Sequence, residues 1–260
     1  LQPLTQSKMT MKITPGSSLS VDGIKPYFLQ NVCEKRTFSA QLYGESGPFV
    51  VCLHGFPDNN LTFRFQVPAL VQAGYRVLVP VLPGYEVSSL DPQGRYHLTE
   101  LVGWLVRWLD FIGEDKVHLV GHDWGAGIAW LASVMHPQRF HSITSIAIPS
   151  LRHLPGGILR HPGQLFRSWY MSFFQLPLVP EQALALRDGW LVRKLWRDWS
   201  PGWTPPDGQL YSVCHDLLQP GVPSAVVGYY RCLFSLFDEA SRDARRFMAQ
   251  TVTQPVLMMT

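Results

Sequence analysis

The stretch Gly121-His122-Asp123-Trp124-Gly125 constrains this chain more than any other. An apolar run, Lys116-Val117-His118-Leu119-Val120, enters it, and the helix-forming run Ala126 to Ala132 leaves it. The order reads strand, sharp turn, helix, with a carboxylate at the turn. Small residues flank that carboxylate because the turn residue takes a strained backbone conformation around which strand and helix must crowd. A carboxylate is already ionised at neutral pH and needs no base to become a nucleophile. It suits attack on an sp³ carbon, which leaves an alkyl ester for water to cleave. Two plainer roles compete: a structural carboxylate at a strand end, and a metal ligand, for which no partners of suitable spacing occur.

From residue 48 short apolar runs alternate with helical periodicity. Phe49 to Leu53 reads as a buried strand, Leu61 to Ala73 as a helix closed by Gly74, and Tyr75 to Val79 as the next strand. Leu98, Leu101, Val102, Leu105, Leu109 and Ile112 mark one face of a helix that ends at Gly113. The strand into Asp123, a helix to Met135 and a strand over Ile143 to Ile148 follow. Strands separated by helices of this length imply crossover units and a mainly parallel, doubly wound α/β sheet. Residues 36–46 fit an antiparallel strand at its edge.

The rhythm breaks at Pro149. From there to about Asp243 the chain is rich in Pro, Gly, Trp and Tyr, with helical pieces at Gln182–Trp196 and Ala225–Phe237 and no clear strand or repeat. A helical cap inserted over the strand ends accounts for this. The expected division is core over 1–149, cap over 150–243 and a return to the core over 244–260, with Pro255 to Met259 as a sheet strand.

Composition narrows the class. The 260 residues are 46% hydrophobic and 16% charged, which fits a packed globular protein. A net charge of +3 is too small and too scattered to argue for nucleic acid. Nine tryptophans and fourteen phenylalanines suggest an apolar pocket as well as a core. The four cysteines, Cys33, Cys52, Cys214 and Cys232, lack paired metal spacing, and Cys52 reads as a small buried thiol. Leu1 to Lys12 is polar with no hydrophobic leader, no run of 18 apolar residues occurs, and Met9 or Met11 is a candidate start. A cytoplasmic location is expected.

His54-Gly55-Phe56-Pro57 directly follows the first buried strand, where a loop can aim backbone N–H groups at the turn residue. The N–H groups of Phe56 and Trp124 would then form an oxyanion hole, and Phe56–Pro57 is a candidate cis bond. The alternative is a plain turn. His122 reads as a packed, hydrogen-bonded histidine rather than a base. Trp190, Trp196, Trp199 and Trp203 read as cap builders.

His54-Gly55-Phe56-Pro57 together with Gly121-His122-Asp123-Trp124-Gly125-Ala126 resembles the epoxide hydrolase branch of the α/β-hydrolase family, over nearly the whole chain from about residue 25. The resemblance implies the α/β-hydrolase fold, a mainly parallel doubly wound sheet with a helical cap inserted after a central strand. It also implies two cap tyrosines that protonate an epoxide oxygen. Their settings match Tyr170-Met171-Ser172-Phe173-Phe174-Gln175-Leu176-Pro177 and Tyr229-Tyr230-Arg231, so the roles fall on Tyr170 and Tyr230. Amphipathic packing in an aromatic cap is the alternative for both. By the same resemblance Asp123 opens the ring as nucleophile, and His54, Pro57, Trp124 and Phe174 line the pocket. The partners are a small apolar epoxide and water, with no cofactor, metal, nucleic acid or membrane span, and a homodimer is left open. Pro83-Gly84-Tyr85-Glu86 departs from the family's usual glycine after the tyrosine, which leaves that loop's shape open.

Ester hydrolysis needs a histidine to activate water and an acid to orient it. The resemblance puts both beyond the strand at 255–259, and the sequence stops at Thr260. The expectation is therefore a shortened form of a longer enzyme, whose C-terminal part of the core lies outside these residues. Two rival functions remain. A haloalkane dehalogenase would use the same Asp123 ester without needing tyrosine donors. A non-catalytic capped binder of apolar ligands would keep the pocket and never form an ester.

Overall fold

The computed structural model describes residues 12–15, 23–33, 35–150, 152, 160, 163–206, 208–235 and 238–260. The polar N-terminal stretch, its candidate start methionines and most of the first residues of the expected cap lie outside them. Eight strands form one sheet: β1 (Lys12–Pro15), β2 (Tyr27–Cys33), β3 (Arg36–Tyr43), β4 (Phe49–Leu53), β5 (Arg76–Pro80), β6 (Val117–His122), β7 (Phe140–Ile146) and β8 (Val256–Met259), in the order β1-β2-β3-β5-β4-β6-β7-β8. Pairing is antiparallel from β1 through β3 to β5 and parallel from β5 to β8. The connection after β4 runs outward to β5, and the next crosses back to β6 on the other side of β4. That reversal opens a crevice at the carboxyl ends of β4 and β6, where open α/β sheets bind ligands. His54 and Asp123 stand at those two ends.

The residues of β4 explain its central place. All five are buried, with Phe49, Val51 and Leu53 in one apolar cluster and Val50 and Cys52 in another on the opposite face. A strand covered on both sides needs a continuous apolar run, and Phe-Val-Val-Cys-Leu is one. The first face packs under α2 (Leu98–Phe111) and α3 (Trp124–Met135), and the second under α1 (Gln66–Gln72) and the turn of 3-10 helix at Asn60–Phe63. In α2 the spacing seen in the sequence is kept, and Leu101, Val102, Leu105 and Leu109 are buried along one face with Trp104 and Trp108.

Several elements differ from the sequence reading, each for a local reason. The helix expected over Leu61–Ala73 is two pieces. The Asn59 side chain accepts from the Leu61 N–H to start the 3-10 turn, and α1 begins afresh with Pro68 in its first turn, where a missing N–H is tolerated. The strand at 36–43 is interior, because β1 and β2 extend the sheet beyond it. In β2 Leu29, Asn31 and Cys33 are buried, a period of two that half-polar composition obscured. β7 begins three residues earlier than expected and stops before Ala147, whose φ of 70° breaks the strand. The helix expected over Gln182–Trp196 is interrupted by Arg187, Asp188 and Gly189, all at positive φ.

Between β7 and β8 the described residues form α4 (Gly163–Arg167), α5 (Trp169–Phe173), α6 (Val179–Ala185), α7 (Trp190–Trp199), α8 (Gln209–Leu217), α9 (Val222–Phe234) and α10 (Glu239–Met248). The last packs on α2 and α3, so the chain has rejoined the sheet layers by Glu239. Several hydrogen bonds tie the inserted helices to loops at the carboxyl ends of the strands, Arg64 to Gln209 on α8 among them. Trp196 Nε1 donates to Pro57 O at 2.6 Å and Tyr229 Oη to Pro83 O at 2.6 Å, while Asn59 Nδ2 reaches Ser212 and Asp216 on α8. The open loop at Glu86 is also fixed: its carboxylate accepts from the Ser39 N–H at 2.8 Å, binding the loop to β3. β8 pairs with β7 on one side only, and all four of its residues are exposed. Among the described residues no helix is long and apolar enough to cross a membrane.

Glycine is obligatory where β6 meets α3. A Cβ on Gly121 would lie 2.2 Å from the Gly125 carbonyl oxygen, and one on Gly125 would lie 2.1 Å from that of Leu53. Both clashes are with backbone, which cannot move without opening the sheet. We expect Gly121→Ala to destabilise by about 3 kcal/mol or more, at or above the top of the usual range for overpacking, read as a lower urea midpoint at unchanged slope.

Candidate active site

The turn between β6 and α3 puts Asp123 at φ 51° and ψ −115°, a strained position for a residue with a side chain. Its N–H donates to the Ile146 carbonyl at 3.3 Å and its own carbonyl accepts from the Gly127 N–H at 3.0 Å, so the strain is held from both sides. Opposite, the loop after β4 comes so near that a Cβ on Gly55 would sit 2.5 Å from Asp123 Cβ and Oδ1. That approach lets the Phe56 N–H donate to Asp123 Oδ1 at 2.8 Å, next to a cis Phe56–Pro57 bond. The Trp124 N–H supplies a second backbone bond to the same carboxylate. Burial raises the Asp123 pKa, against His122 and the two N–H groups, which favour the anion.

An aromatic box stands over this carboxylate. The Phe56 ring meets Phe174 edge-on at 5.5 Å and Tyr230 at 5.6 Å; Trp124 meets Tyr230 at 5.0 Å; Tyr170 meets Tyr230 at 5.7 Å and Phe174 at 5.8 Å. The structure thus brings together Asp123, Phe56, Trp124, Tyr170, Phe174 and Tyr230 from four separate stretches of sequence. Tyr170 and Tyr230 both have pKa values raised by burial first and by the negative charge of Asp123 second, so both stay protonated. The Tyr230 hydroxyl is buried and has no partner at hydrogen-bonding geometry among the described residues. An unpaired buried hydroxyl is uncommon and costs about 1–3 kcal/mol.

The neighbouring Tyr229 shows the contrast. Its ring packs between Tyr96, Tyr85 and Trp124, and its hydroxyl is spent on the Pro83 carbonyl. Of two adjacent tyrosines, one is bonded to the core and the other turns its hydroxyl toward Tyr170 and Trp124.

His54 and Pro57 sit differently from the other expected pocket residues. His54 is fully buried: Nδ1 donates to the Gly55 carbonyl at 3.2 Å and Nε2 accepts from the Leu82 N–H at 3.1 Å, which fixes the tautomer and leaves neither nitrogen for a ligand. Burial lowers its pKa to about 4, so it stays neutral. The Pro57 carbonyl is taken by Trp196. Three polar groups that carried no expected role in the chemistry also belong to this region. Asp58, just after the loop, is buried with its pKa raised by desolvation, and feels His122 and Arg64. The hydroxyl of Tyr85 and Nδ1 of His122 are buried without partners among the described residues. His122 is thus packed, as its place in the turn suggested, but not hydrogen-bonded through Nδ1. Adjacency to the two loop motifs was the only signal for any of the three.

Comparison with known proteins agrees with this geometry. A model of the alpha/beta hydrolase fold matches residues 48–196. The chain belongs to the α/β-hydrolase family. Epoxide hydrolase 4 of Mus musculus is 35% identical over 199 residues, covering 74% of this chain and 55% of the relative. The AB hydrolase superfamily protein YfhM of Bacillus subtilis is 31% identical over 217 residues, 82% of this chain and 74% of the relative. Epoxide Hydrolase A from Mycobacterium thermoresistibile superposes with a TM-score of 0.68 at 25% identity, over 96% of this chain and 82% of that one. The relatives thus bear out the resemblance to the epoxide hydrolase branch. The chain spans about half the length of the mouse relative.

The two tyrosines separate by stability. Tyr229→Phe strands the Pro83 carbonyl and should cost about 1–3 kcal/mol. Tyr230→Phe removes a hydroxyl that has no partner and should leave the urea midpoint unchanged or raised.

Proposed function

We propose that this chain opens epoxides by nucleophilic attack of Asp123. The observation that carries the reading is a half-buried carboxylate, pinned by backbone N–H groups, beneath an aromatic box that holds a buried tyrosine hydroxyl. One Asp123 carboxylate oxygen attacks a ring carbon and the C–O bond of the epoxide breaks. The electron pair moves to the ring oxygen, which takes a proton from Tyr170 or Tyr230, leaving a hydroxyalkyl ester on Asp123. An alkoxide is a poor leaving group, so the donors matter: a positioned acid commonly contributes ~10²–10⁴-fold. Release of the ester needs a base to take a proton from water as it attacks the ester carbonyl, a role His54 does not fill with both ring nitrogens engaged. The negative oxygen that forms would be stabilised by the Phe56 and Trp124 N–H groups. Its collapse would break the acyl C–O bond, water's two protons ending on the departing oxygen and the tyrosinate. The helices between β7 and β8 act as a cap that closes the aromatic box and keeps bulk water from the anion. His54 serves as a brace beneath the loop, Pro57 as a hinge contact to the cap, and Phe174 as an apolar wall, with a small apolar epoxide as substrate and no cofactor.

The test reads the first step directly. Incubation with a styrene-type epoxide should add the mass of one epoxide to the intact chain, mapped by peptide sequencing to Asp123. Asp123→Asn should abolish the adduct. Tyr170→Phe and Tyr230→Phe should each slow its formation ~10²-fold or more. A haloalkane tested beside it discriminates the dehalogenase, whose ester would form regardless of the tyrosines. Reversible binding of the epoxide, with no adduct in the parent chain, would instead favour the binder.

Acid should also report on the nucleophile. Because burial raises the Asp123 pKa, the protonated and unreactive form accumulates on lowering the pH before an ordinary carboxylate would protonate. The single-turnover rate of adduct formation should therefore fall toward acid with a midpoint above the usual carboxylate range. A flat profile down to pH 4 would contradict it.

A further inference from the structure

The helices α4 to α7 and the turns between them expose several large apolar residues. Phe166 is 83% exposed, Leu178 71% and Leu186 54%, and Trp169, Leu176 and Trp190 are exposed as well. Apolar residues of this size seldom gather on the outside of a soluble domain without a partner. Two of the turns that carry them are strained. Leu178 holds a φ of 64°, a left-handed conformation that leucine rarely adopts, while presenting its side chain to solvent. Arg187, Asp188 and Gly189, next to Leu186, form three left-handed residues in a row. The loop bearing Leu176 is held in place from behind, since Arg231 donates to the carbonyls of Phe174 and Leu176 and pairs with Glu181 at 2.7 Å. Rigid, strained display of apolar side chains points to a docking function.

The charges say what docks. Arg167, Arg187, Arg193 and Arg197 are exposed on these same elements, and none forms an ion pair among the described residues. The acidic groups there are mostly answered: Glu181 by Arg231 and Asp198 by Lys194, leaving Asp188. A second copy docking here would bring two arginine-rich surfaces of like charge together. An anionic lipid surface does the reverse, taking the arginines at the headgroups and the indoles and leucines at the acyl boundary.

We propose that the outer face of α4–α7 is a peripheral docking surface for an anionic lipid bilayer. It seats the helices that cover the aromatic box against the membrane, with no segment spanning it. The inference does not depend on the chemistry at Asp123.

The 260-residue chain is centrifuged with 100-nm phosphatidylcholine vesicles, with and without 30 mol% phosphatidylserine, at low and high salt. We expect sedimentation with the anionic vesicles that weakens on pure phosphatidylcholine and in high salt. The double variant Arg193→Gln/Arg197→Gln should lower the partition coefficient roughly 30-fold. Leu178→Asp should lower it about tenfold with the thermal midpoint unchanged or raised, because aspartate tolerates left-handed backbone better than leucine. No association with anionic vesicles would overturn the proposal. So would association that both variants leave intact, which puts the contact elsewhere. A stable dimer in sedimentation velocity that Leu178→Asp dissolves would assign the face to a second copy instead.

Discussion

Everything chemical in this protein depends on how closely the loop after β4 approaches the turn after β6. The two backbones meet with no room for a side chain at Gly55, Gly121 or Gly125, and the reward is one short bond from the Phe56 N–H to Asp123. Sheet order makes the meeting possible, because β4 and β6 are neighbours only where the crossover direction reverses. The same approach takes part of the carboxylate's surface from water, so fixed backbone dipoles carry much of the stabilisation of its charge. Preorganised dipoles do not have to reorient as charge develops, which is why such groups are worth more inside a protein than in water.

Burial of the anion then dictates what surrounds it. Desolvation alone pushes Asp123 toward the neutral acid, and the two N–H groups and His122 push back. The tyrosines face the same charge from the other side and are held in their protonated form. Burial raises the pKa of carboxylate and phenols alike, and the Asp123 charge raises the phenols further. Three buried polar atoms near this point, on Tyr230, Tyr85 and His122, lack a partner at hydrogen-bonding geometry among the described residues, as do others away from it on Asn31, Trp104, Trp108 and Gln254. Tyr229 and His54, beside the site, are bonded.

How much of this was legible in the sequence follows from the range of the forces involved. The strand into Asp123, the helix after it and the amphipathic face of α2 are written in local periodicity, and they stand where that pattern puts them. β2 left little trace because a half-exposed antiparallel strand shares its composition with loops. The breaks at Arg187–Gly189 and after Ile146 rest on left-handed residues other than glycine, Arg187, Asp188 and Ala147, which carry no compositional mark. The motifs named Asp123, Phe56, Trp124, Tyr170 and Tyr230, and those residues do converge. His54 looked like a pocket residue because it begins the motif, yet its neighbours in space are Leu82 and Gly55. Which side of a loop a histidine faces is a tertiary fact.

The tyrosine pair on α9 shows how a helix resolves what a motif leaves ambiguous. Residues 229 and 230 are adjacent, so their side chains leave the helix about 100° apart. One direction meets the loop at Pro83, and the hydroxyl there closes a 2.6 Å bond. The other meets the aromatic box over Asp123, where Phe56, Trp124 and Phe174 supply edges and faces but no acceptor for its hydroxyl. The bonded tyrosine anchors α9 to the core and thereby fixes the height of its neighbour above the carboxylate. A hydroxyl aimed at the site is useful only if it cannot drift, and here the residue beside it supplies the constraint.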